Sequence, residues 1–100
     1  MDISKQEIMS DGYVMIPSRL LFDEQLSDKE KIVYAFLAAF IDDSGGYCWL
    51  TNYQIAYNLN VSSGFISRAI NKLKELNYLE VSYTYKNGTK NIKKRLIYLK

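Results

Sequence analysis

The sequence predicts a small α+β domain, with a three-helix core, a carboxyl-terminal β-hairpin and a short strand before the second helix of the core. Three observations indicate this fold: two capping-box sequences, an amphipathic helical pattern after them, and an Asn-Gly pair between alternating segments. A chain of 100 residues buries barely enough surface for one core. We therefore assign residues 1–11 to a tail or short helix and residues 12–100 to one domain.

The first part of the domain is predicted to hold a short strand, a helical turn and a long helix. Residues 13–17 favour a strand, and Pro17 prevents a helix from extending backwards beyond the turn that Ser18 opens. Ser27 and Glu30 form the first capping box. The helix that follows, residues 28–41, is apolar around most of its surface, which predicts a central position in the core. Residues 42–46 are predicted to end it as a solvated turn rather than a calcium loop.

A second, shorter helix is predicted after a candidate strand at residues 47–50. Thr51 and Gln54 form its capping box, and the helix extends to about residue 59. Asn60 suits the left-handed backbone conformation that ends many helices. The side chains predicted to be buried on it are Tyr53, Ile55, Ala56 and Leu59.

The third helix is predicted over about residues 62–76, with Ser62 as its N-cap and Asn77 as its end. Apolar residues recur on one face at helical spacing, and the opposite face is polar. The predicted inward side chains are Ile66, Ala69, Ile70, Leu73 and Leu76.

The last segment, about residues 78–99, is predicted to be a hairpin because Asn87-Gly88 tolerates the positive φ of a type I′ turn. With this pair as the turn, strand alternation places one set of side chains on the core, namely Leu79, Val81, Tyr83, Ile92 and Leu96. The opposite side would pair Glu80 with Arg95, Ser82 with Lys93 and Thr84 with Asn91. A longer loop over residues 86–91 is the alternative, and it shifts these pairs.

Composition excludes several classes of function. The chain has no histidine and one cysteine, so the commonest general base and metal ligand are missing and no internal disulfide can form. We therefore predict no enzymatic activity, no catalytic or metal-binding residues and no cofactor. The sequence has no disulfide or leader pattern, so we expect a cytoplasmic protein. Its apolar run at residues 32–41 is about half of the roughly 20 residues that span a bilayer, so we expect no membrane contact.

Charge is divided unevenly along the chain. Residues 1–61 carry four cations and nine anions, a net charge of −5, whereas residues 62–100 carry nine cations and two anions, a net charge of +7. Cations that neutralise phosphates gain free energy by releasing counterions, so the basic half is typical of a polyanion-binding surface. A basic face that only aids solubility is the alternative.

The order of these elements is that of a winged helix-turn-helix. Residues 49–73, WLTNYQIAYNLNVSSGFISRAINKL, resemble the helix-turn-helix of bacterial, phage and plasmid winged-helix proteins, with an apolar-Ala pair, an apolar-Ser junction and a later Arg-Ala-apolar-x-x-Leu stretch. With residues 31–40 and 76–79 added, the chain is most similar to the amino-terminal domains of phage and plasmid replication initiators and to small regulators. The resemblance covers about residues 12–99 and implies binding of double-stranded DNA, in replication initiation or transcription regulation.

A helix in the major groove reads bases with its first turn and its outward face. The candidate DNA-binding residues on the third helix are Ser62, Ser63, Gly64, Ser67, Arg68, Asn71 and Lys72. Arg68 is the first candidate, because its fork fits guanine or a phosphate, while solvation or an ion pair with Glu75 is the alternative. Asn71 either binds adenine or is solvated. Phe65, where the family commonly has a small polar residue, either packs towards Ala69 or contacts a thymine methyl group.

The hairpin supplies the candidate wing contacts, which are Lys86, Asn87, Lys90, Lys93 and Arg95. For Lys93 and Arg95 the alternative role is to protect the sheet edge from pairing with another chain. Three tyrosines near the wing, Tyr78, Tyr83 and Tyr85, are interpreted as residues that pack in the core or at its rim rather than as a platform for unpaired bases.

Two hypotheses about partners remain open at this point. A homodimer on paired half-sites, with a replication protein as a further partner, would enlarge the small interface of a single module. The alternative function is a protein–protein interaction module that uses the winged-helix scaffold without binding nucleic acid.

Overall fold

The computed structural model describes residues 13–85, 87–88 and 92–100. Within them, four helices precede a two-stranded antiparallel sheet, an arrangement consistent with a winged helix-turn-helix. The helices are α1 Ser18–Leu21, α2 Asp28–Ser44, α3 Asn52–Leu59 and α4 Ser63–Glu75, and the strands are β1 Leu79–Tyr85 and β2 Ile92–Leu99. None of the helices in the described ranges has the length and apolar character needed to cross a membrane.

Helix α2 begins at the predicted capping box. The Ser27 hydroxyl accepts from the Glu30 amide at 3.2 Å, and the Glu30 carboxylate accepts from the Ser27 amide at 2.7 Å. The helix continues three residues beyond its predicted end at residue 41, because the left-handed residue that terminates it is Gly45, with φ 94°. It contributes a large share of the buried core, through Val33, Tyr34, Phe36, Leu37, Ala38 and Phe40.

The segment before α2 differs from its prediction. Residues 13–17 form no strand in the described chain, although Val14 and Ile16 pack against the core as a strand's inward residues would. The helical turn at α1 is confirmed, with Pro17 rather than Ser18 as its N-cap. Tyr78 attaches this region to the start of β1, because its hydroxyl donates to the Asp23 carboxylate at 2.7 Å.

Helices α3 and α4 are joined by a tight turn. The capping box at Thr51 and Gln54 is confirmed, with amide-to-side-chain distances of 3.1 and 2.9 Å. Asn60 takes the predicted left-handed conformation, with φ 58° and ψ 46°. The predicted burial of Tyr53 was wrong, since its side chain is 76% exposed. It precedes the buried Ile55 by two residues, which at about 100° per residue places it on a different side of the helix.

Helix α4 packs against α2, α3 and β1. Ser62 caps it as predicted, its hydroxyl accepting from the Phe65 amide at 3.0 Å. Four of its apolar side chains, Ile66, Ala69, Ile70 and Leu73, are buried. After the helix, Asn77 adopts a φ of 70°, and the Tyr78 amide donates to the Leu73 carbonyl at 2.9 Å.

The hairpin register predicted from a two-residue turn was wrong. Val81 pairs with Ile97 instead of Lys94, and Tyr85 pairs with Ile92, a shift that favours the alternative prediction. Of the loop predicted in that alternative, residues 86 and 89–91 lie outside the described residues. The register also shifts between Thr84 and Tyr85. Relative to the predicted register, β2 is displaced by three residues along β1. Because three is an odd number and side chains alternate along a strand, the opposite face of β2 points to the core.

The corrected register changes which side chains share a face. Ile97 and Leu99, rather than Leu96, stand beside Val81 and Leu79 on the core side. Glu80 pairs with Tyr98, Ser82 with Leu96 and Thr84 with Lys94, while Arg95 lies opposite Tyr83. The predicted opposite-charge pair of Glu80 with Arg95 is therefore absent.

A contact distant in sequence accompanies this register. Cys48 and Ile97 form a bridge in which each amide donates to the other's carbonyl at 2.9 Å. The predicted strand at residues 47–50 is thus reduced to a single bridge at Cys48. This bridge joins the connection before α3 to the hairpin.

Candidate nucleic-acid interface

The side of α4 away from the core is exposed and polar. At about 100° per residue, an arc of about 140° on this side holds Lys74 and Glu75 of the last turn and five of the residues predicted to bind DNA. We call these five the α4 outer face, and they are Ser63, Gly64, Ser67, Arg68 and Asn71, all exposed. Ser62, the N-cap, is exposed at the start of the same helix. Six of the seven residues predicted on this helix therefore form one accessible surface.

Arg68 projects over the first turns of α4. Its Nη1 atom would lie 3.4 Å from a Cβ atom added at Gly64, so the guanidinium runs back towards the start of the helix. Within the described residues its side chain has no hydrogen bond or ion pair, and the alternative pairing with Glu75 is not formed. The five N–H donors of Arg68 are thus available to a ligand at the amino-terminal half of the helix.

Lys72 is the exception among the predicted residues of α4. Its ammonium contacts the Glu30 carboxylate at 3.2 Å, so the side chain is drawn towards the start of α2 rather than to the α4 outer face. Partial burial raises the pKa of Glu30, but the Ser27 amide and the Lys72 ammonium outweigh it, and the net pKa lies below the ordinary value. Lys72 therefore helps to fix α4 against α2.

We expect the Glu30 charge to stabilise the fold fully above its ordinary pKa of 4.5 and progressively less as the pH falls through its lowered folded-state pKa. Because the folded-state pKa is lowered, the stabilisation is present at neutral pH and is lost as the pH falls. Glu30→Gln keeps an oxygen for the Ser27 amide but removes the charge, and should lower the free energy of unfolding at pH 7 by up to about 1 kcal/mol. Urea titrations at pH 7 and pH 3 measure this difference.

At pH 3 the difference in stability between the wild-type protein and Glu30→Gln should be smaller than at pH 7. Glu75→Gln is the matched control, because Glu75 is an exposed carboxylate on α4 with no ion pair in the described chain. An equal loss of stability in Glu30→Gln at both pH values would contradict the charge-based explanation.

Phe65 follows one of its two predicted alternatives. The side chain is half-buried and packs against the core cluster. It occupies the edge of α4 between the buried stripe and the α4 outer face. The contact with a thymine methyl group is thus not needed to explain an aromatic residue here.

The wing residues are placed only in part. Asn87 is exposed, whereas Lys86, Lys90 and the side chain of Lys93 lie outside the described part of the chain. Burial decreases along β1 from Leu79 through Val81 to the exposed residues 82–85, so the distal end of the hairpin extends beyond the core.

Arg95 was predicted to lie on the exposed side of the hairpin, but its side chain does not project to solvent. Its guanidinium donates to Asn52 Oδ1 at 2.6 Å and to the Leu50 carbonyl at 2.8 Å. Loss of hydration on burial lowers the pKa of Arg95, but an arginine retains its charge at neutral pH. Both acceptors belong to the chain at the start of α3.

Lys94 is a basic wing residue absent from the predicted set. It is exposed, and its ammonium lies 5.5 Å from the centre of the Trp49 ring, within the range of a cation–π contact. The register predicted from a two-residue turn paired Lys94 with Val81, whose side chain points to the core. Lys94 was therefore not identified as an exposed cation. The corrected register would have identified it.

The tyrosines near the wing divide into two groups. Tyr78 is 3% exposed and packs edge-on against Tyr34, with ring centres 6.4 Å apart, which confirms its predicted packing role. Tyr83 and Tyr85 are 44% and 53% exposed, so they lie outside the core, and of the two predicted kinds of packing only packing at the rim fits them. They lie on the part of β1 that extends past the core.

The comparisons with known proteins agree with this geometry. A family model described as a helix-turn-helix domain matches residues 24–79, which is more than half of the chain. The protein therefore belongs to this helix-turn-helix family, and membership indicates DNA binding. No curated protein and no solved structure matches the chain significantly.

Proposed function

We propose that this protein is a winged helix-turn-helix that binds double-stranded DNA with sequence selectivity. In this proposal α2, α3 and α4 form the core, α4 enters the major groove, and the hairpin is the wing. The observation that carries it is the division of α4 into a buried apolar side and the exposed α4 outer face with Arg68. A helix held in this way can insert its outer side between phosphate backbones without disturbing the core.

Arg68 and Asn71 are the proposed base-reading residues. The Arg68 fork can donate to O6 and N7 of one guanine, and the amide of Asn71 can make the equivalent pair with adenine. Small residues at the start of the helix, Ser63, Gly64 and Ser67, allow its backbone to approach the base edges. Ser62 can contribute a hydroxyl contact to a phosphate there.

The basic half of the chain is proposed to hold the phosphate backbone. Residues 62–100 have a net charge of +7, from nine cations and two anions, and most of these cations lie on the hairpin. The proposed wing contacts are Lys86, Asn87, Lys90, Lys93 and Lys94. Contacts of this kind give affinity and orientation, whereas the base contacts of α4 give selectivity.

The biological role proposed for the protein is phage or plasmid replication initiation or transcription regulation, in the cytoplasm and without enzymatic activity or a cofactor. A homodimer, or contact with a replication protein, is part of the proposal, because one module provides a small interface. Exposed apolar side chains in the acidic half of the chain support a protein contact there, namely Leu21 on α1, Phe22 just after it and Ile32 on α2.

A salt titration of duplex binding tests the proposal. The logarithm of the affinity should fall linearly with the logarithm of the salt concentration, with a slope of about −0.9 per phosphate neutralised. Replacing Lys86 and Lys90 together by alanine should make this slope shallower by up to about two. Lys29→Ala, which removes an exposed cation of α2 and leaves every cation of the hairpin in place, should leave the slope unchanged.

Two outcomes of these binding measurements would contradict the proposal in whole or in part. Weak binding that does not respond to salt would contradict the DNA-binding proposal and favour the protein–protein interaction module. Equal affinity for random duplexes and for duplexes selected from a random pool would contradict sequence selectivity alone.

A further inference from the structure

The hairpin is attached to the connection before α3 at three neighbouring points. Cys48 and Ile97 exchange backbone hydrogen bonds, Arg95 binds Leu50 and Asn52, and Lys94 lies over the ring of Trp49. Residues 48–52 thus hold β2 at residues 94–97. We call these contacts the wing base.

Arg95 makes the most specific contact in the wing base. Its planar guanidinium uses two nitrogen atoms at once, with donor–acceptor distances of 2.6 and 2.8 Å. One acceptor is a side chain in the first turn of α3 and the other is a carbonyl just before that helix. A single point charge such as a lysine ammonium cannot reproduce this two-armed geometry.

The location of Arg95 also disfavours a direct DNA contact. Its side chain stands on the inward side of β2, in register with Tyr83, and is half-buried. Releasing it to reach a phosphate would leave the Asn52 amide oxygen and the Leu50 carbonyl without this donor. Unmaking two charge-assisted hydrogen bonds opposes such a movement.

The position of the wing tip depends on the wing base. Arg95 is three residues from Ile92, the first residue of β2, which is about 10 Å along a strand. On the paired strand β1, residues 82–85 are all exposed. The part of the hairpin beyond Arg95 therefore has little other support from the core. A small rotation at Arg95 is therefore carried to the tip.

We propose that Arg95 is a positioning residue that sets the angle of the wing relative to α3 and α4, and that it does not itself bind DNA. This inference rests on the proposed DNA-binding function. By fixing the angle, Arg95 allows the lysines of the wing and the α4 outer face to engage one duplex together.

Three variants separate positioning from a phosphate contact. Arg95→Met removes the charge and the fork, Arg95→Lys keeps the charge but loses the fork, and Asn52→Ala removes one acceptor. Each is combined with the double change Lys86→Ala, Lys90→Ala, and duplex affinity is measured well below the unfolding temperature. Arg19→Lys is the matched control, since in the described chain Arg19 contacts Tyr78 and Asn77 and none of the wing-base residues.

If Arg95 positions the wing, the loss caused by the two lysine changes should be about five- to tenfold smaller in each of the three variants than in the wild-type protein. Arg19→Lys should show the full loss. If Arg95 instead binds a phosphate, Arg95→Lys and Asn52→Ala should bind like the wild-type protein, and the losses should combine independently within about twofold. That result would overturn the inference, as would a loss of stability without any change in affinity.

A measurement without DNA separates this inference from the proposed function. Residual dipolar couplings of the backbone amides report the orientation of β1 and β2 relative to α2, α3 and α4. We expect Arg95→Met and Asn52→Ala to change that orientation while the helices keep theirs. An unchanged hairpin orientation would overturn positioning even if DNA binding is established. If wild-type protein binds no duplex, the proposed function fails and the couplings alone decide whether Arg95 orients the hairpin.

Discussion

Replacing Leu73 by alanine is expected to lower the free energy of unfolding by about 2–5 kcal/mol. Leu73 has no exposed surface and lies on the buried side of α4. Truncating it removes apolar burial and leaves a cavity that the surrounding helices fill only in part. A loss of this size is a large fraction of the stability of a small domain. Urea unfolding followed by circular dichroism measures it.

Ile32→Ala is the matched control for this core substitution. Ile32 is also a branched aliphatic residue in a helix, but its side chain is 54% exposed. Truncation at a partly exposed site should cost well under half as much, because most of the lost surface already contacts water. Similar losses for the two variants would contradict the placement of α4 on the core.

Replacing Arg68 by alanine is expected to remove about 1–3 kcal/mol of discrimination against a changed base pair, or about 5- to 150-fold in relative affinity. The guanidinium is exposed, extends over Gly64 and has no partner in the described residues, so it can make both bonds to one guanine. Competition binding with a selected duplex and its single-base variants measures the effect. Arg68→Lys should restore little of it, because lysine has no planar fork.

Lys74→Ala is the control for Arg68, since Lys74 is exposed in the last turn of the same helix. It should weaken all duplexes to a similar, smaller extent, as expected for a phosphate contact. If Arg68→Ala also weakens every duplex equally, and makes the salt slope shallower by about one, then Arg68 binds a phosphate and does not read a base.

The helix boundaries that depend on neighbouring residues could be predicted from the sequence. Each capping box, at Ser27 and at Thr51, joins two residues that are three positions apart in the sequence. The left-handed turn at Asn60 depends on that residue alone. The amphipathic pattern of α4 also determines which of its sides is exposed. These features placed Arg68 and its neighbours correctly on an accessible surface.

The wing could not be predicted in the same way, because its register depends on distant residues. Alternation along residues 79–85 is compatible with both a two-residue turn and a longer loop. The observed register accompanies the pairing of Ile97 with Cys48, which lies 49 positions earlier in the chain. The role of Arg95 changed with that register, since the odd displacement turned its side chain inward.

Lys72 illustrates the same limit on α4. Its helical position favours a polar surface residue, but its partner Glu30 is 42 residues away in sequence. Glu30 was identified only as part of a capping box, a local role that it also fulfils. One carboxylate oxygen serves both contacts, and this double use cannot be read from spacing along the chain.

The alkylation rate of Cys48 reports how often the hairpin separates from the connection before α3. The thiol has no exposed surface, lies where the connection before α3 meets β2, and burial raises its pKa to about 11. The thiolate is the form that attacks an alkylating reagent, so this sulfur is modified only after the surrounding structure opens. Since the chain has one cysteine, the rate of its alkylation measures how often that opening occurs, and bound DNA that holds both elements together would slow it.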